Sequence, residues 1–322
     1  MKTNRIGKTD VTVTEVSFGC ASIGNLYQAV SDTQAQDVIE AAWHEGIRYF
    51  DTAPHYGRGL SEQRLGNFLK TKPRNSYTLS TKVGRVLSPG KAMSEADGFI
   101  DPLPNDVRYD YSGDGIEASL ETSLERFGTT VIDIAFVHDL GRYTHGAEND
   151  AHMDAFLGSG YERLVQLKEK GRIRAFGLGV NENEVCLEVM RHGPLDVILL
   201  AGRLTLLDRS AEERLTQKCR DAETSLVLGG VFNSGILATG AKRGATYDYQ
   251  PASSEVLAQV TALQATSLRL GLPLATSALL FAKQHDLTAS VLIGTAKAST
   301  LKRNLSALDI SPPAGFDTAF NL

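Results

Sequence analysis

The stretch Tyr49-Phe50-Asp51-Thr52-Ala53-Pro54-His55-Tyr56-Gly57 decides the fold. Tyr49, Phe50 and Thr52 favour an extended strand, and Pro54 and Gly57 then stop it. Asp51 and Tyr56 therefore fall at a strand's C-terminal end and in the loop beyond, where barrels and open parallel sheets carry their chemistry. A carboxylate beside a phenol reads as an acid–base pair, provided something brings the phenol down from its ordinary pKa of about 10.

Working outward, short apolar, β-branched runs alternate with longer helical patterns. Strands are predicted at 15–21, 48–53, 77–83, 133–138, 175–180, 197–201, 226–230 and 291–295. Helices are predicted at 32–46, 60–71, 115–127, 158–170, 183–191, 211–222, 254–270, 275–285 and 300–308. Asp32 is the expected cap of the first helix and Gly46 its stop. A hairpin at 5–14, turning at Lys8-Thr9-Asp10, precedes the first strand, and a long loop fills 84–113. Eight strands alternating with helices predict an α/β protein: a parallel (β/α)8 TIM barrel with a short N-terminal hairpin, one domain over residues 1–322. An open doubly wound sheet would show Gly-x-Gly-x-x-Gly after its first strand. Phe18-Gly19-Cys20-Ala21-Ser22-Ile23-Gly24 lacks that spacing.

Composition narrows the class. The 322 residues are 42% hydrophobic and 22% charged, as in ordinary globular proteins. A net charge of −5 argues against a nucleic-acid binder. Cys20, Cys186 and Cys219 make neither a disulfide framework nor a metal-ligand spacing. No apolar run is long enough for a membrane span, so a cytoplasmic enzyme with a small-molecule substrate is expected; oligomeric state is not legible.

Four ionisable residues fall at three strand ends: Asp51 and Tyr56, then Lys82 in Ser80-Thr81-Lys82-Val83, then His138 in Phe136-Val137-His138. On a barrel rim these surround one cavity. A Lys82 ammonium near the phenol would favour phenolate, Asp51 would hold that ammonium, and His138 would orient an oxygen. Taken singly, each has an ordinary reading as a turn residue, loop aromatic, edge lysine or core histidine; their joint placement reverses the odds. After strands seven and eight, Ser234, Gly235, Leu237, Gly294 and Thr295 offer amides and hydroxyls suited to a pyrophosphate. Gly177 and Gly179 sit inside a strand, where glycine costs stability unless something approaches the backbone. Asn25 and Tyr27 are the expected pocket-lining residues. Arg85, Asp106 and Arg108 read as solvated, and Trp43 as packing. His145 and His152 lack a metal-like partner.

On Phe50-Asp51-Thr52-Ala53, Tyr56-Gly57, Ser80-Thr81-Lys82 and Val137-His138, the chain resembles the aldo-keto reductase family over nearly its whole length. That resemblance implies a (β/α)8 barrel binding a nicotinamide dinucleotide without a Rossmann fold. It implies Tyr56 as acid/base, Lys82 and Asp51 as its tuning partners and His138 as substrate orienter. The segments at 110–115, His138-Asp139-Leu140, Ala201-Gly202-Arg203 and 233–240 are similar to the aldose 1-dehydrogenase branch, with pyridoxal 4-dehydrogenases nearby. Gly179 and Val180 stand where many members have Ser-Asn, leaving Asn181 as the substitute carboxamide contact. Leu204 stands where relatives place a nicotinamide-stacking Tyr. Gly294 and Thr300 stand where NADP-preferring members carry cations, and Asn304 follows. The implied cofactor is NAD, with NADP less favoured. The implied reaction is oxidation of an aldose at its anomeric carbon to a lactone. Pyridoxal oxidation and NADPH-dependent aldehyde reduction are the alternatives.

Overall fold

The computed structural model describes residues 1–321. Eight parallel strands close into a barrel: Val16–Gly19, Tyr49–Asp51, Thr78–Val83, Ile132–His138, Ile173–Val180, Val197–Ala201, Ser225–Gly229 and Thr288–Gly294. We number them one to eight. The seam pairs Val291 with Val16 and Gly294 with Gly19. All eight lie on predicted positions, with no end displaced by more than three residues.

The pleat gives each strand two faces. Phe50, Ala135 and Val137 face outward into the layer between barrel and helices. Tyr49, Ile134, Phe136, Ala175, Val197 and Leu199 face inward, packed with Ile6, Val11 and Val13 of the hairpin that plugs the barrel floor. Residues two further along from the inward ones, Asp51 and His138, therefore arrive inside at the rim. The hairpin pairs Thr3–Arg5 with Thr12–Thr14. Its turn is closed by the Thr9 amide on the Ile6 carbonyl, so it centres earlier than Lys8-Thr9-Asp10.

The first helix runs Asp32–His44 and buries Ala35, Val38, Ile39 and Ala42 at helical spacing. Its cap is Ser31, not Asp32. The Ser31 hydroxyl accepts from the Gln34 amide while the Gln34 side chain accepts from the Ser31 amide. Trp43 stacks on Phe50 at 6.3 Å, as packing. The fourth predicted helix starts later, at Tyr161–Glu169, because a π-helical turn, Phe156–Gly160, joins it to Asn149–Ala155. The sixth shrinks to Leu215–Ala222 behind a 3-10 turn.

The 84–113 segment is not a plain loop. Arg85–Pro89 pairs with Asn105–Tyr109, and Glu95–Ala96 with Phe99–Ile100. Its tip lies against the loops after strands one and two: the Tyr27 amide donates to Gly98, the Ile100 amide to Asn25 and the Leu103 amide to Gly57. No described helix is single, long and apolar enough to cross a membrane.

Gly177 explains its own presence. A Cβ there would fall well inside contact distance of the Val197 carbonyl oxygen on the neighbouring strand. At Gly179 a Cβ would meet the Phe136 Cβ at 3.3 Å and the Lys82 Cε at 3.4 Å. Gly177→Ala should therefore cost about 3 kcal/mol or more, and Gly179→Ala about 1 kcal/mol, in denaturant unfolding.

Candidate active site

Asp51, Lys82 and His138 converge at the C-terminal end of the barrel, and all three are buried. Strand pairing sets Asp51 beside Ser80 and Lys82 beside Phe136. The Lys82 Nζ donates to Asp51 Oδ2 at 2.7 Å and to the Thr52 carbonyl at 2.9 Å. The second Asp51 oxygen accepts from the Ser80 hydroxyl at 2.7 Å. Burial works against the Lys82 charge, but Asp51 and then Tyr56 outweigh it, and its pKa is raised.

Tyr56 stands in a short 3-10 turn, Tyr56–Gly59, its amide on the Ala53 carbonyl. The Lys82 Nζ lies 4.7 Å from the centre of its ring. Burial raises the Tyr56 phenol, Lys82 pulls it down, and Asp51 pushes it up again; the net direction is upward. The expected lowering by Lys82 exists but does not win: leaving water costs the phenolate more than one shared ammonium returns.

The His138 ring centre is 5.8 Å from that of Tyr56. Burial, then the charges of Arg85 and Lys82, push its pKa well below the usual histidine value. His138 is therefore neutral. Its Nδ1 is buried without a partner among the described residues, and its Nε2 is 3.4 Å from Asp139 Oδ2.

The surroundings contain residues that sequence reasoning passed over. His55 lies 5.9 Å from His138 and edge-on to Phe99 at 5.4 Å, its pKa lowered to about 3 by burial. Phe99, from the tip of the 84–113 segment, also faces Tyr56 at 6.0 Å. Arg85 is buried rather than solvated and pairs with Asp139 at 2.5 Å. Asp106 and Arg108 are exposed, as expected. His145 and His152 meet at 4.4 Å, and His145 Nε2 is 2.8 Å from the Tyr111 hydroxyl, which donates to the His138 carbonyl. No cluster of three or more metal-ligating side chains exists among the described residues.

Several expected contacts sit differently. Asn25 is buried as a brace: its amide nitrogen donates to the Ile100 carbonyl, and its oxygen accepts from the Val30 amide and Arg64. It does not line the mouth as expected. Tyr27 is exposed beside Gly98. Gly179 is buried against the Lys82 stem, and Asn181 donates to Asp139 Oδ1 at 3.3 Å. Leu204 is packed into the core rather than offered to a ring. Leu237 is also a core residue, and its amide and that of Gly235 both donate to the Phe232 carbonyl, so neither is free for phosphate. The exposed Ser234 hydroxyl accepts from the Tyr249 amide. At the end of strand eight, Gly294 is exposed, and Thr295, just before helix Ala298–Leu308, and Asn304, in its second turn, are partly exposed. That helix N-terminus, with exposed Lys297 and Arg303 nearby, fits the phosphates of a dinucleotide.

Comparison with known proteins gives the family to which this barrel belongs. The aldo/keto reductase family model matches residues 15–313, and the chain belongs to that family. It is 37% identical to the pyridoxal 4-dehydrogenase of Microbacterium luteolum, over 97% of this chain and 94% of that protein. It is 36% identical to the D-threo-aldose 1-dehydrogenase of a Pseudomonas species, over 95% of this chain and 92% of that one. Among solved structures, the holo form of an aldo-keto reductase from Bacillus halodurans superposes with a TM-score of 0.79 at 27% identity, covering 100% of this chain and 95% of that one. The chain is thus an oxidoreductase acting on CH–OH or aldehyde groups with a nicotinamide cofactor.

The buried histidines set a pH dependence of stability. An unfolded histidine takes a proton near pH 6.5. Folded His145 does so only near 4, because of burial and then His152, and His55 near 3. The unfolded state therefore binds more protons below pH 6.5, and stability falls as pH drops from 6.5 toward 4. Melting temperatures across that window should decline, and His145→Gln should flatten part of the slope.

Proposed function

We propose that this chain is an NAD-dependent dehydrogenase that oxidises the anomeric carbon of an aldose of the L-fucose, L-galactose or D-arabinose type to a lactone. The observation that carries this reading is the convergence of Tyr56, Lys82, Asp51 and His138 beneath a polar collar formed by Arg85, Asp139 and Asn181. A polyhydroxylated ring needs such hydrogen-bonding partners, whereas a small aldehyde does not.

In this mechanism the substrate's C1 hydroxyl lies between Tyr56 and His138. Neutral His138 donates a hydrogen bond to that oxygen. Tyr56, with Lys82 favouring its phenolate, takes the hydroxyl proton. The C1–H bond breaks with its electron pair leaving as hydride, and the C1–O bond becomes the lactone carbonyl. A bound nicotinamide supplies the hydride acceptor. Asp51 keeps the Lys82 ammonium in place throughout. Gly294, Thr295 and Asn304, with the N-terminus of helix Ala298–Leu308, would hold the adenosine side and phosphates of the cofactor, Ser234 would have its hydroxyl proton to donate to those phosphates, and Asn181 would hold the carboxamide.

NAD is proposed over NADP because Gly294 and Thr300, the positions matched to the family's cationic clamp, carry no charge; Lys302 is turned toward Glu45, which leaves Lys297 and Arg303 as the exposed cations nearby. A second reading is oxidation of the pyridoxal hemiacetal to its lactone, favoured by the 37% identity to a pyridoxal 4-dehydrogenase.

Initial rates with NAD⁺ and NADP⁺ against L-fucose, L-galactose, D-arabinose and pyridoxal test both readings. The aldose reading expects sugar turnover with a higher kcat/KM for NAD⁺; turnover of pyridoxal alone overturns it in favour of the second. Tyr56→Phe should lower kcat by about 100-fold or more while leaving NADH binding nearly intact. Because the Tyr56 phenol is raised, oxidation by the native enzyme should quicken as pH rises from 7 toward 10.

A further inference from the structure

The tetrad accounts for the reacting carbon and its oxygen. It does not say what the carboxylate of the collar, Asp139, recognises. Asp139 is the residue immediately after strand four, with its amide on the Gly179 carbonyl. Its φ of +50° lies in the left-handed region, which a non-glycine residue occupies at a cost unless its surroundings hold it there. They do hold it. The Arg85 guanidinium pairs with Oδ2 at 2.5 Å, and the Asn181 amide reaches Oδ1 at 3.3 Å. Arg85 itself has 5% of its side chain exposed, whereas Asp139 keeps 19%. The carboxylate is therefore anchored from behind and open in front.

What it faces is the reaction site. The His138 Nε2 is 3.4 Å from Oδ2. The Asp139 charge also adds to the upward push of burial on the Tyr56 phenol. A 3.4 Å separation from His138 is long for a hydrogen bond, and pairing with Arg85 leaves acceptor positions unused on both oxygens.

We propose that Asp139 is a specificity-determining residue whose carboxylate accepts hydrogen bonds from the hydroxyls on the ring carbons beside the reacting carbon of a polyhydroxylated substrate. The proposal rests on the aldose reading above. Arg85 and Asn181 act as positioning residues that keep the carboxylate charged and fixed. A carboxylate that loses its hydroxyl partner in a closed mouth is left poorly solvated, so removing either side of the contact costs affinity.

The test pairs a protein variant with substrate deletions. Asp139→Asn is nearly isosteric and keeps a carbonyl for Arg85. Steady-state kinetics are measured with the preferred aldose and with its 2-deoxy and 3-deoxy forms, beside NADH binding and melting temperature as controls of fold. The native enzyme should lose about tenfold or more in kcat/KM on one deoxy form, mainly through KM. Asp139→Asn should lose a similar factor on the parent sugar and little more on that deoxy form, with NADH binding unchanged. An equal loss on parent and deoxy sugars, or a shifted pH profile with KM unmoved, would make Asp139 a support for His138 and overturn the proposal. If Asp139→Asn melts early, Asp139→Glu keeps the charge and advances the carboxylate by one methylene. It should then change the ranking of sugars epimeric at C2 or C3, and an unchanged ranking overturns the proposal. Failure of the underlying reading is separate and visible first: native enzyme that turns over pyridoxal and no aldose removes both.

Discussion

The ion pair between Lys82 and Asp51 is the constraint on which the rest of the rim depends. Both side chains are almost fully enclosed, and taking each charge out of water costs several kcal/mol. The barrel meets that cost by leaving no polar atom of the pair idle. Asp51 receives Lys82 on one oxygen and Ser80 on the other, and Lys82 also donates to the Thr52 carbonyl. With the one Ser80 proton given to Asp51, the Tyr49 hydroxyl, two residues earlier on the same strand as Asp51, donates to the Ser80 oxygen at 3.1 Å. Removing one partner would strand the other, a loss of about 3–5 kcal/mol in other buried pairs. An apolar pair of similar volume would be at least as stable. The charges therefore make sense through what they do to the phenol beside them, not as a device for holding the barrel closed.

The same strand carries a second buried pair on its outer face. Thr81, pointing away from the interior, donates to Glu62 on the preceding helix, Leu60–Leu69, and Glu62 also accepts from Arg126 on the following one, Gly113–Phe127. Strand three thus has Lys82 tied inside and Thr81 tied outside, so it cannot rotate or slip without breaking both. Gly179, across from the Lys82 stem, leaves room for that stem. The position of one ammonium is set from three directions.

This explains which parts were legible in the sequence. Asp51, Lys82 and His138 are fixed by strand register, and register is written locally: a two-residue period, an apolar run and a breaker after it. The barrel was legible for the same reason. Arg85 and Asp139 were not, because they are 54 residues apart and meet only when the 84–113 segment folds back over the rim. Asn25 was misread likewise; its partners Ile100, Val30 and Arg64 come from three segments. Ser31 outbid Asp32 as a cap because Gln34 could answer it, a reciprocal signal present in the sequence and overlooked. Leu237 was misplaced because a loop residue's side chain and amide can both turn inward, which no periodicity reports.

The mouth is built unevenly, and Arg203 shows why that matters. Its guanidinium donates to the Asn181 carbonyl, to Asp208 and, through two nitrogens, to Asp248. One side chain therefore ties together the loops after strands five, six and seven. Tyr247 adds a bond to Asp208, and the Tyr249 amide one to Ser234. On that side the backbone donors are largely spent on the protein itself, while on the strand-eight side a helix N-terminus and an exposed Gly294 remain open. The cofactor proposed above would meet open backbone donors at strand eight and a fixed frame at Arg203. Rigid framing of this kind keeps the reacting carbon within the small tolerance that hydride transfer demands, since a displacement of about 1 Å can cost 100-fold in rate. The polar density of the rim is thus suited to positioning, around the four residues proposed to carry the chemistry.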